Sequence, residues 1–270
     1  MLYLVATPIG NLGDFSQRGV EVLRNAHWIL CEDTRTSKPL LERYEIKTPL
    51  VSLHGFNEAK RCEEVGKWLR AGEEVALISD AGTPGLSDPG ERLVAYCREE
   101  GLKVSAVPGP CAAIMALTIS GLPTAPFQFV GFLPKGDGKR KSALQQALLY
   151  EGVTVAYESP ARLVETLEMI EKLAPEARLA VARELTKIYE EVIGGTAGWL
   201  LERWATEPVR GEIVLMIQGT GRHNEWMGLT AEEHVTQLQG YGLSKQEAVK
   251  AAAQMRGVPK REVYGELIDN

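Results

Sequence analysis

The sequence has 270 residues and a formal net charge of −6, with 44% apolar and 24% charged residues. This composition is typical of an ordinary globular protein, and its acidic balance excludes a general attraction to nucleic acid, so RNA or DNA binding would need a local basic patch. We find no apolar run near the roughly 20 residues of a membrane span, and we expect no signal peptide. The four cysteines are scattered without a C-x-x-C pair, which favours a reducing cytoplasm and argues against a zinc site.

The first half of the chain alternates short apolar runs, which predict strands, with amphipathic runs, which predict helices. The predicted strands cover residues 2–6, 28–31, 50–53, 75–78 and 103–107. Predicted helices cover about 16–25, 37–44 and 58–70, and one more follows each of the last two strands. The helix after 75–78 should begin with Asp88 as its N-cap and Pro89 as its first residue. This alternation predicts an α/β fold with a mostly parallel sheet and helices on both faces.

A second α/β region follows the segment 122–126, whose two prolines predict a linker. Its predicted strands are 127–133, 153–157, 178–182 and 212–218, and its predicted helices are 141–150, 161–173 and 197–205. From residue 220 onward no strand is predicted, and the composition indicates short helices. We therefore expect an N-terminal α/β domain at 1–121, a mixed α/β domain at 122–219 and a small helical tail module at 220–270.

Two loops at the carboxyl ends of predicted strands stand out. The stretch 75–90 begins with the predicted strand 75–78 and continues as the loop S-D-A-G-T-P-G-L-S-D-P-G. The glycines and prolines of this loop exclude regular structure. Open parallel sheets bind ligands at such ends, so we favour a binding loop over a tight connection. The loop 6–14, A-T-P-I-G-N-L-G-D, follows the first strand. It lacks the G-x-G-x-x-G spacing, so we expect no dinucleotide site there.

Two further loops follow strands in the same half. In the loop 31–37, C-E-D-T-R-T-S, Asp33 or Thr34 could cap the next helix, and Arg35 could equally hold a phosphate. In the loop 107–113, V-P-G-P-C-A-A, Gly109 and its small neighbours would let a ligand approach the backbone. Cys111 lacks a paired histidine, so we expect a packing residue and not a nucleophile.

Charged stretches lie in the second half. Residues 183–187, R-E-L-T-K, with Glu190 and Glu191, form either a surface ion-pair cluster or an acid, a base and substrate clamps. The segment 135–141 carries four positive charges and predicts a flexible loop, either solvated or touching phosphates. Residues 243–264 are similar to a helix-turn-helix with its turn at Gly257. The basic residues of this pattern are Lys245, Lys250, Arg256, Lys260 and Arg261.

Several motifs become specific when taken together, because they follow one another in a fixed order over residues 2–219. They are T-P-I-G-N-L, E-D-T-R, H-x-x-N-E, S-D-A-G-T-P, D-P-G, P-G-P-C-A, G-F-L-P, Y-E-S-P and R-E-L-T-K. This set resembles the tetrapyrrole methylase superfamily of S-adenosylmethionine-dependent methyltransferases. Within it, the chain is most similar to the bacterial branch that methylates a 2′-oxygen of a decoding-region cytidine in 16S rRNA. The tail resembles the extra C-terminal module of that branch.

The resemblance implies two α/β domains with S-adenosylmethionine in the cleft between them, a homodimer, and 16S rRNA within the small ribosomal subunit as the partner. We expect no metal. The implied cofactor residues are Pro8, Asp80, Gly82, Thr83, Cys111, Ala112, Tyr157, Glu158 and Glu212. We expect basic side chains to contact RNA, namely Arg35, Arg183, Lys139, Arg140, Lys245, Lys260 and Arg261.

Methyl transfer to a ribose hydroxyl needs alignment of oxygen, carbon and sulfur, and help with the hydroxyl proton. We hypothesise that Lys187 gives this help together with Glu184 or Glu191, and Asp33 or Asp80 stay open as alternatives. Two other functions also stay open. A methyltransferase of the same fold could act on a corrin or porphyrin precursor, because fold does not settle substrate. A non-catalytic RNA-binding ribosome-assembly factor could use the basic tail alone.

Overall fold

The computed structural model describes residues 1–55, 57–205, 208–219 and 228–268. The chain divides into two compact units. The first unit comprises Met1–Met115 and Glu184–Glu190, and the second comprises Ala116–Arg183 and Glu191–Asn270. Parts of the predicted tail, 220–227 and 269–270, lie outside the described residues. The predicted division at 121 and 219 stays a prediction.

The first unit contains an all-parallel sheet of five strands. These are β1 (Leu2–Val5), β2 (Trp28–Cys31), β3 (Leu50–Ser52), β4 (Val75–Leu77) and β5 (Val104–Val107), in the spatial order β3-β2-β4-β1-β5. The helices are α1 (Gln17–Asn25), α2 (Thr34–Arg43), α3 (Glu58–Arg70), α4 (Glu91–Glu99) and α5 (Ala112–Ile119), which crosses into the second unit. The predicted parallel α/β architecture is confirmed.

Alternation along each strand produces the two-faced packing of this sheet. On β2, Ile29 joins the apolar core formed with α1 and α2, while its neighbour Leu30 joins the core formed with α3 and α4. Both side chains are fully buried. When both faces of a strand are buried, successive residues are apolar, so the strand forms a continuous apolar run in the sequence. Such runs are the reason that these strands could be predicted well.

The second unit contains a mixed sheet. Its strands are β6 (Phe127–Phe132), β7 (Val153–Glu158), β8 (Leu179–Arg183), β9 (Glu191–Gly195) and β10 (Ile213–Gln218), in the order β6-β7-β10-β8-β9. Only β6 and β7 pair in parallel, and the remaining pairs are antiparallel. The helices α6 (Asp137–Leu149), α7 (Pro160–Leu173) and α8 (Ala197–Arg203) surround its core. The predicted mixed α/β class is confirmed, whereas β9 was not among the predicted strands.

The C-terminal part of the second unit is helical, as predicted. It forms α9 (Ala231–Gly240), α10 (Lys245–Arg256) and α11 (Lys260–Ile268), and α10 and α11 are separated by a turn in which Gly257 has φ +66°. Their apolar faces form one core that also includes Leu149 at the end of α6. Within the part of the chain that the structure describes, no helix is both long and apolar enough to cross a membrane.

Three helix starts differ from the prediction, and the first is that of α2, which begins at Thr34, three residues before the predicted start at 37. The helix α4 begins at Glu91 with Gly90 as its N-cap residue, and not with Asp88 and Pro89. The helix α6 begins at Asp137, so most of the predicted flexible loop at 135–141 forms its first turn. For α4 and α6, a side chain distant in sequence contacts the first turn of the helix, as described below.

Candidate active site

Three loops meet where β4, β1 and β5 end, because these strands are neighbours in the sheet. The backbones of Thr7 and Gly82 exchange two hydrogen bonds of 2.9 and 3.1 Å, and the Thr7 hydroxyl donates to the Ser79 carbonyl at 3.1 Å. The Thr83 hydroxyl donates to the Pro110 carbonyl at 2.9 Å. These hydrogen bonds therefore join the loops that carry the predicted cofactor residues of the first unit.

Close packing between these loops depends on glycine. Gly82 has φ +81°, and a Cβ there would lie 3.2 Å from Ile9 Cγ2. A Cβ on Gly109 would lie 2.9 Å from Ala6 Cβ, so the missing side chain lets the first loop pack closely against it. The expected approach of a ligand to this backbone stays a prediction. Cys111 is a half-buried free thiol at the start of α5, which begins at Ala112.

Carboxylates gather at the same edge of the sheet. Burial raises the pKa of Asp88 to about 6, with further contributions from Glu32 and Asp80. Burial and the charge of Asp33 raise the pKa of Asp80. The Asp33 carboxylate keeps a low pKa of about 2 because Arg35 donates to it. The edge therefore carries a concentrated negative potential at neutral pH.

Arg35 engages Asp33 in two parallel contacts, from Nη2 to Oδ2 at 2.7 Å and from Nε to Oδ1 at 3.1 Å. Asp33 also accepts from the Arg35 backbone at 2.8 Å and so caps α2, which was one of the two readings of this loop. The guanidinium remains 89% exposed. An exposed pair of this kind is weak, so a phosphate can compete for Arg35.

The H-x-x-N-E motif has a structural role that the sequence did not reveal. The Asn57 side chain accepts from the His54 amide at 2.9 Å and donates to the Ser52 carbonyl at 3.2 Å. The buried Glu58 carboxylate accepts from the Gly90 and Leu93 amides at 3.1 and 3.2 Å. Glu58 thus caps α4 from α3, fixes the end of the 79–90 loop, and explains why Asp88 is not the cap.

The segment Glu184–Glu190 belongs to the first unit and forms a braced turn. Glu184 and Thr186 have φ values of +52° and +65°. Lys187 Nζ contacts Glu184 Oε1 at 2.8 Å, and the Glu190 carboxylate accepts from the Thr186 amide at 2.6 Å. A Cβ placed on Gly10 would lie 2.5 Å from Lys187 Cγ and 3.1 Å from the Leu185 carbonyl oxygen. The turn therefore packs directly on the first loop.

The three predicted catalytic residues are not gathered in one group. Lys187 and Glu184 form a pair in the first unit. Glu191 instead accepts from Arg183 at 2.7 Å and from Arg203 at 3.3 Å in the second unit. Arg183 and Glu191 are direct partners across β8 and β9. Of the two pairings that the sequence left open for Lys187, this geometry favours Glu184.

The predicted cofactor residues of the second unit lie near the ends of β7 and β10. The buried Glu158 carboxylate contacts Arg162 Nη2 at 2.5 Å and accepts from the Ser159 amide at 2.8 Å and the Thr166 hydroxyl at 2.9 Å. This carboxylate therefore anchors the start of α7. The Tyr157 ring packs edge-on against Phe129 and Phe132. Glu212 is exposed and immediately precedes β10.

The predicted RNA-contacting residues differ in accessibility. Arg140 is 1% exposed and pairs with Asp137 at 2.8 Å and with Glu165 at 3.0 Å, which ties the start of α6 to α7. Its expected exposure in a flexible loop is wrong, because the loop is helical. Lys139 is exposed, as are the tail residues Lys245, Lys260 and Arg261. Among the residues that the structure describes, no group of His, Cys, Asp or Glu side chains is placed to hold a metal ion.

Comparisons of the chain with a family model and with named relatives agree on one family. Residues 1–200 match the model of the tetrapyrrole (corrin/porphyrin) methylases. A protein of Halalkalibacterium halodurans named ribosomal RNA small subunit methyltransferase I is 42% identical over 269 residues, covering 97% of this chain and 93% of the relative. The protein of the same name from Bacillus subtilis is 42% identical over 271 residues, covering 98% of this chain and 92% of the relative.

Solved structures show the same fold at lower identity. A diphthine synthase is similar with a TM-score of 0.63 and 13% identity, covering 81% of this chain and 89% of that chain. A uroporphyrin-III-C-methyltransferase from Thermus thermophilus has a TM-score of 0.55 and 22% identity, covering 83% of this chain and 97% of that chain.

Proposed function

Because the chain belongs to the tetrapyrrole methylase family, we propose that it is an S-adenosylmethionine-dependent methyltransferase acting on small-subunit ribosomal RNA. The single observation that carries the substrate class is the 42% identity, over nearly the full chain, to proteins named for that reaction. The acceptor we propose is the 2′-oxygen of a decoding-region cytidine in 16S rRNA. We further propose that the enzyme is a cytoplasmic homodimer that acts on the assembled subunit.

The residues of the first unit fit the proposed methyl donor. S-adenosylmethionine supplies an electrophilic methyl group on a positively charged sulfonium, and it carries an ammonium group as well. The negative edge formed by Asp80, Asp88 and their acidic neighbours complements these charges. Asp80, Gly82 and Thr83 in the 79–90 loop would hold the donor, together with Pro8 in the first loop and with Cys111 and Ala112 at the start of α5. The assignment of Tyr157, Glu158 and Glu212 to the same role stays a prediction.

Proton removal from the acceptor is the step assigned to the Lys187–Glu184 pair. As the methyl group moves, an oxygen–carbon bond forms, the carbon–sulfur bond breaks, and the hydroxyl proton must leave. The Lys187 ammonium can stabilise the developing negative charge on oxygen, and the Glu184 carboxylate can accept the proton. Arg35, exposed at the same end of the sheet, can hold an RNA phosphate.

Asp88→Asn should raise the thermal stability at pH 7.5 and weaken donor binding by roughly 5-fold. The pKa of Asp88, about 6 in the folded chain, lies above the ordinary aspartate value of 3.8. The folded state therefore binds more protons than the unfolded state between about pH 4 and 6, and stability falls as pH rises through that window. Asparagine is neutral, so the substitution removes the free-energy cost of burying a charged carboxylate and also removes one negative charge from the edge of the sheet.

The measurement is thermal unfolding and calorimetry of S-adenosylmethionine binding at pH 5.5 and 7.5. In the original protein the affinity should fall toward pH 5.5, and in Asp88→Asn it should depend less on pH. S-adenosylhomocysteine, which lacks the sulfonium charge, is the control ligand and should respond less to the substitution. Equal affinities of both proteins for S-adenosylmethionine at pH 7.5 would contradict the electrostatic role.

The exposed tail cations give a separate prediction for RNA binding. Replacing Lys245, Lys260 and Arg261 by glutamine should weaken binding to small subunits and reduce the slope of log K against log salt by roughly 0.7–0.9 for each lost phosphate contact. Donor binding should not change. Substitution is preferable to removal of the tail, because the tail helices share a core with Leu149.

The control for this experiment is Lys172→Gln, which removes an exposed charge from α7 in the same unit. It should leave the salt slope within error of the original protein. An unchanged slope in the triple variant would contradict an RNA role for these tail residues.

Transfer of a labelled methyl group tests the proposed function itself. The protein is incubated with labelled S-adenosylmethionine and with small subunits or deproteinised rRNA lacking the modification, and the labelled nucleoside is then identified. Label on a cytidine 2′-oxygen supports the proposal. Donor binding without labelled RNA would favour a corrin or porphyrin precursor as substrate, and absence of donor binding would favour a non-catalytic assembly factor.

A further inference from the structure

The tip of the braced turn exposes two large apolar side chains. Ile188 is 94% and Tyr189 is 74% exposed, more than any other large apolar side chain among the described residues. Both follow Lys187 directly in sequence. Exposed apolar side chains of this size at one point of the surface suggest a contact with another molecule.

Several contacts of the braced turn hold this tip in a fixed position. The left-handed backbone at Glu184 and Thr186, neither of which is glycine, is strained and persists only where the surroundings enforce it. The enforcing contacts are the Lys187–Glu184 pair, the bond from the Thr186 amide to Glu190, and the packing of the turn on Gly10. A fixed turn with an exposed aromatic ring is pre-organised for binding.

We propose that the ring of Tyr189 is a stacking platform for an unpaired RNA base, either that of the acceptor nucleotide or that of its immediate neighbour. This inference rests on the proposed function and adds a specific substrate contact to it. Single-stranded RNA is commonly bound by stacking of its bases on aromatic side chains. Two residues of chain reach at most about 7 Å. Lys187 can therefore approach a ribose while Tyr189 contacts a base of the same or the next nucleotide.

The size of the tip argues for RNA and against a second copy of the chain as the occupant. A stable protein interface buries about 800 Å² on each partner and uses roughly 20–30 residues a side. Two adjacent side chains supply only a small part of such an area, whereas one aromatic ring is sufficient to stack one base. A cation also lies close by, because Lys187 precedes Tyr189 by two residues.

The test compares Tyr189→Ala, Tyr189→Phe and Ile188→Ala in methyl transfer to small subunits, with donor affinity and oligomeric state measured in parallel. Tyr189→Ala should lower kcat/KM by roughly 5- to 150-fold, the range expected for one stacked base, without a change in donor affinity. Tyr189→Phe retains the ring and should stay within about 3-fold of the original protein. Ile188→Ala removes the apolar neighbour but leaves the ring, so it should lower kcat/KM less than Tyr189→Ala does.

Cross-linking supplies a readout that a purely structural role would not change. A photoreactive benzoylphenylalanine at position 189 should cross-link to the RNA within one nucleotide of the methylated site. Full activity of Tyr189→Ala, a cross-link elsewhere, or a loss of activity that accompanies dissociation into monomers would each overturn the inference. If the original protein transfers no methyl group to subunits, the proposed function fails. If it does and Tyr189→Ala is fully active, only the stacking role fails.

Discussion

Lys187→Ala should lower kcat for methyl transfer by roughly 10²- to 10⁴-fold, while donor affinity changes by less than about 3-fold. The hydroxyl of a ribose has a pKa far above neutral, so the reaction needs help with its proton or with the charge on its oxygen. Lys187 is the residue of the braced turn that pairs with a carboxylate and packs on the first loop. The measurement is single-turnover transfer at saturating subunits and S-adenosylmethionine.

Two companion variants separate the possible roles of this pair. Lys187→Arg keeps the positive charge, and an arginine does not give up its proton. If Lys187 acts through its charge, the arginine variant should retain much more activity than the alanine variant, whereas equal losses would indicate that a proton passes through the lysine. Glu184→Gln should slow transfer and shift its pH profile if the carboxylate accepts the proton.

Glu191→Gln is the matched comparison, because Glu191 is also close in sequence but pairs with Arg183 and Arg203. We expect it to affect stability more than the pH profile. Full turnover of Lys187→Ala at saturating substrate would falsify the role of Lys187 and return attention to Asp33 and Asp80 as alternative proton acceptors.

Local sequence patterns predicted the parallel sheet well because each strand depends mainly on its own residues. Trp28–Cys31 forms β2 as a continuous apolar run, and both of its faces are covered by helices. The sequence also placed the loops after β1, β4 and β5 at the carboxyl ends of strands, where open sheets bind ligands, and the family resemblance assigned cofactor residues to all three. Their hydrogen bonds show that these loops meet, which depends on the strand order and was not predicted.

Boundaries set by distant side chains could not be predicted in the same way. Asp88-Pro89 has the local pattern of a helix start, yet the helix begins later because Glu58, far away in sequence, accepts from the Gly90 amide. The run 135–141 has the composition of a loop, yet Glu165 and Asp137 neutralise Arg140 and allow a helix there. No short window along the chain contains both Glu58 and Gly90, or both Arg140 and Glu165.

The partner of Lys187 also could not be predicted from local sequence. Glu184 and Glu191 are both acids near Lys187 in sequence, so residue types alone could not choose between them. The choice follows from the left-handed residues of the turn, Glu184 and Thr186, which direct Lys187 back toward Glu184 and onto the first loop. Glu191 meanwhile enters β9 and faces Arg183. Backbone conformation of this kind is not encoded by a recognisable local motif.

Gly10→Ala should reduce kcat/KM by about 100-fold with a loss of stability of only about 1–3 kcal/mol. The added Cβ would lie 2.5 Å from Lys187 Cγ, 2.9 Å from Thr186 Oγ1 and 3.1 Å from the Leu185 carbonyl. Because the clash includes backbone and the near part of the lysine side chain, rotation of the distant end of Lys187 cannot relieve it. The braced turn must therefore move away from the first loop and take Lys187 with it.

The control is Gly13→Ala, three residues further along the same loop, where the added Cβ would meet only Asn11 Oδ1 at 3.2 Å. It should retain activity within about 3-fold. Amide hydrogen exchange at Thr186 and Glu190 should increase in Gly10→Ala and not in Gly13→Ala, since only the first displaces the turn. If both variants are equally active, contact with the first loop does not position Lys187, and the turn must be held by its own ion pair and hydrogen bonds alone.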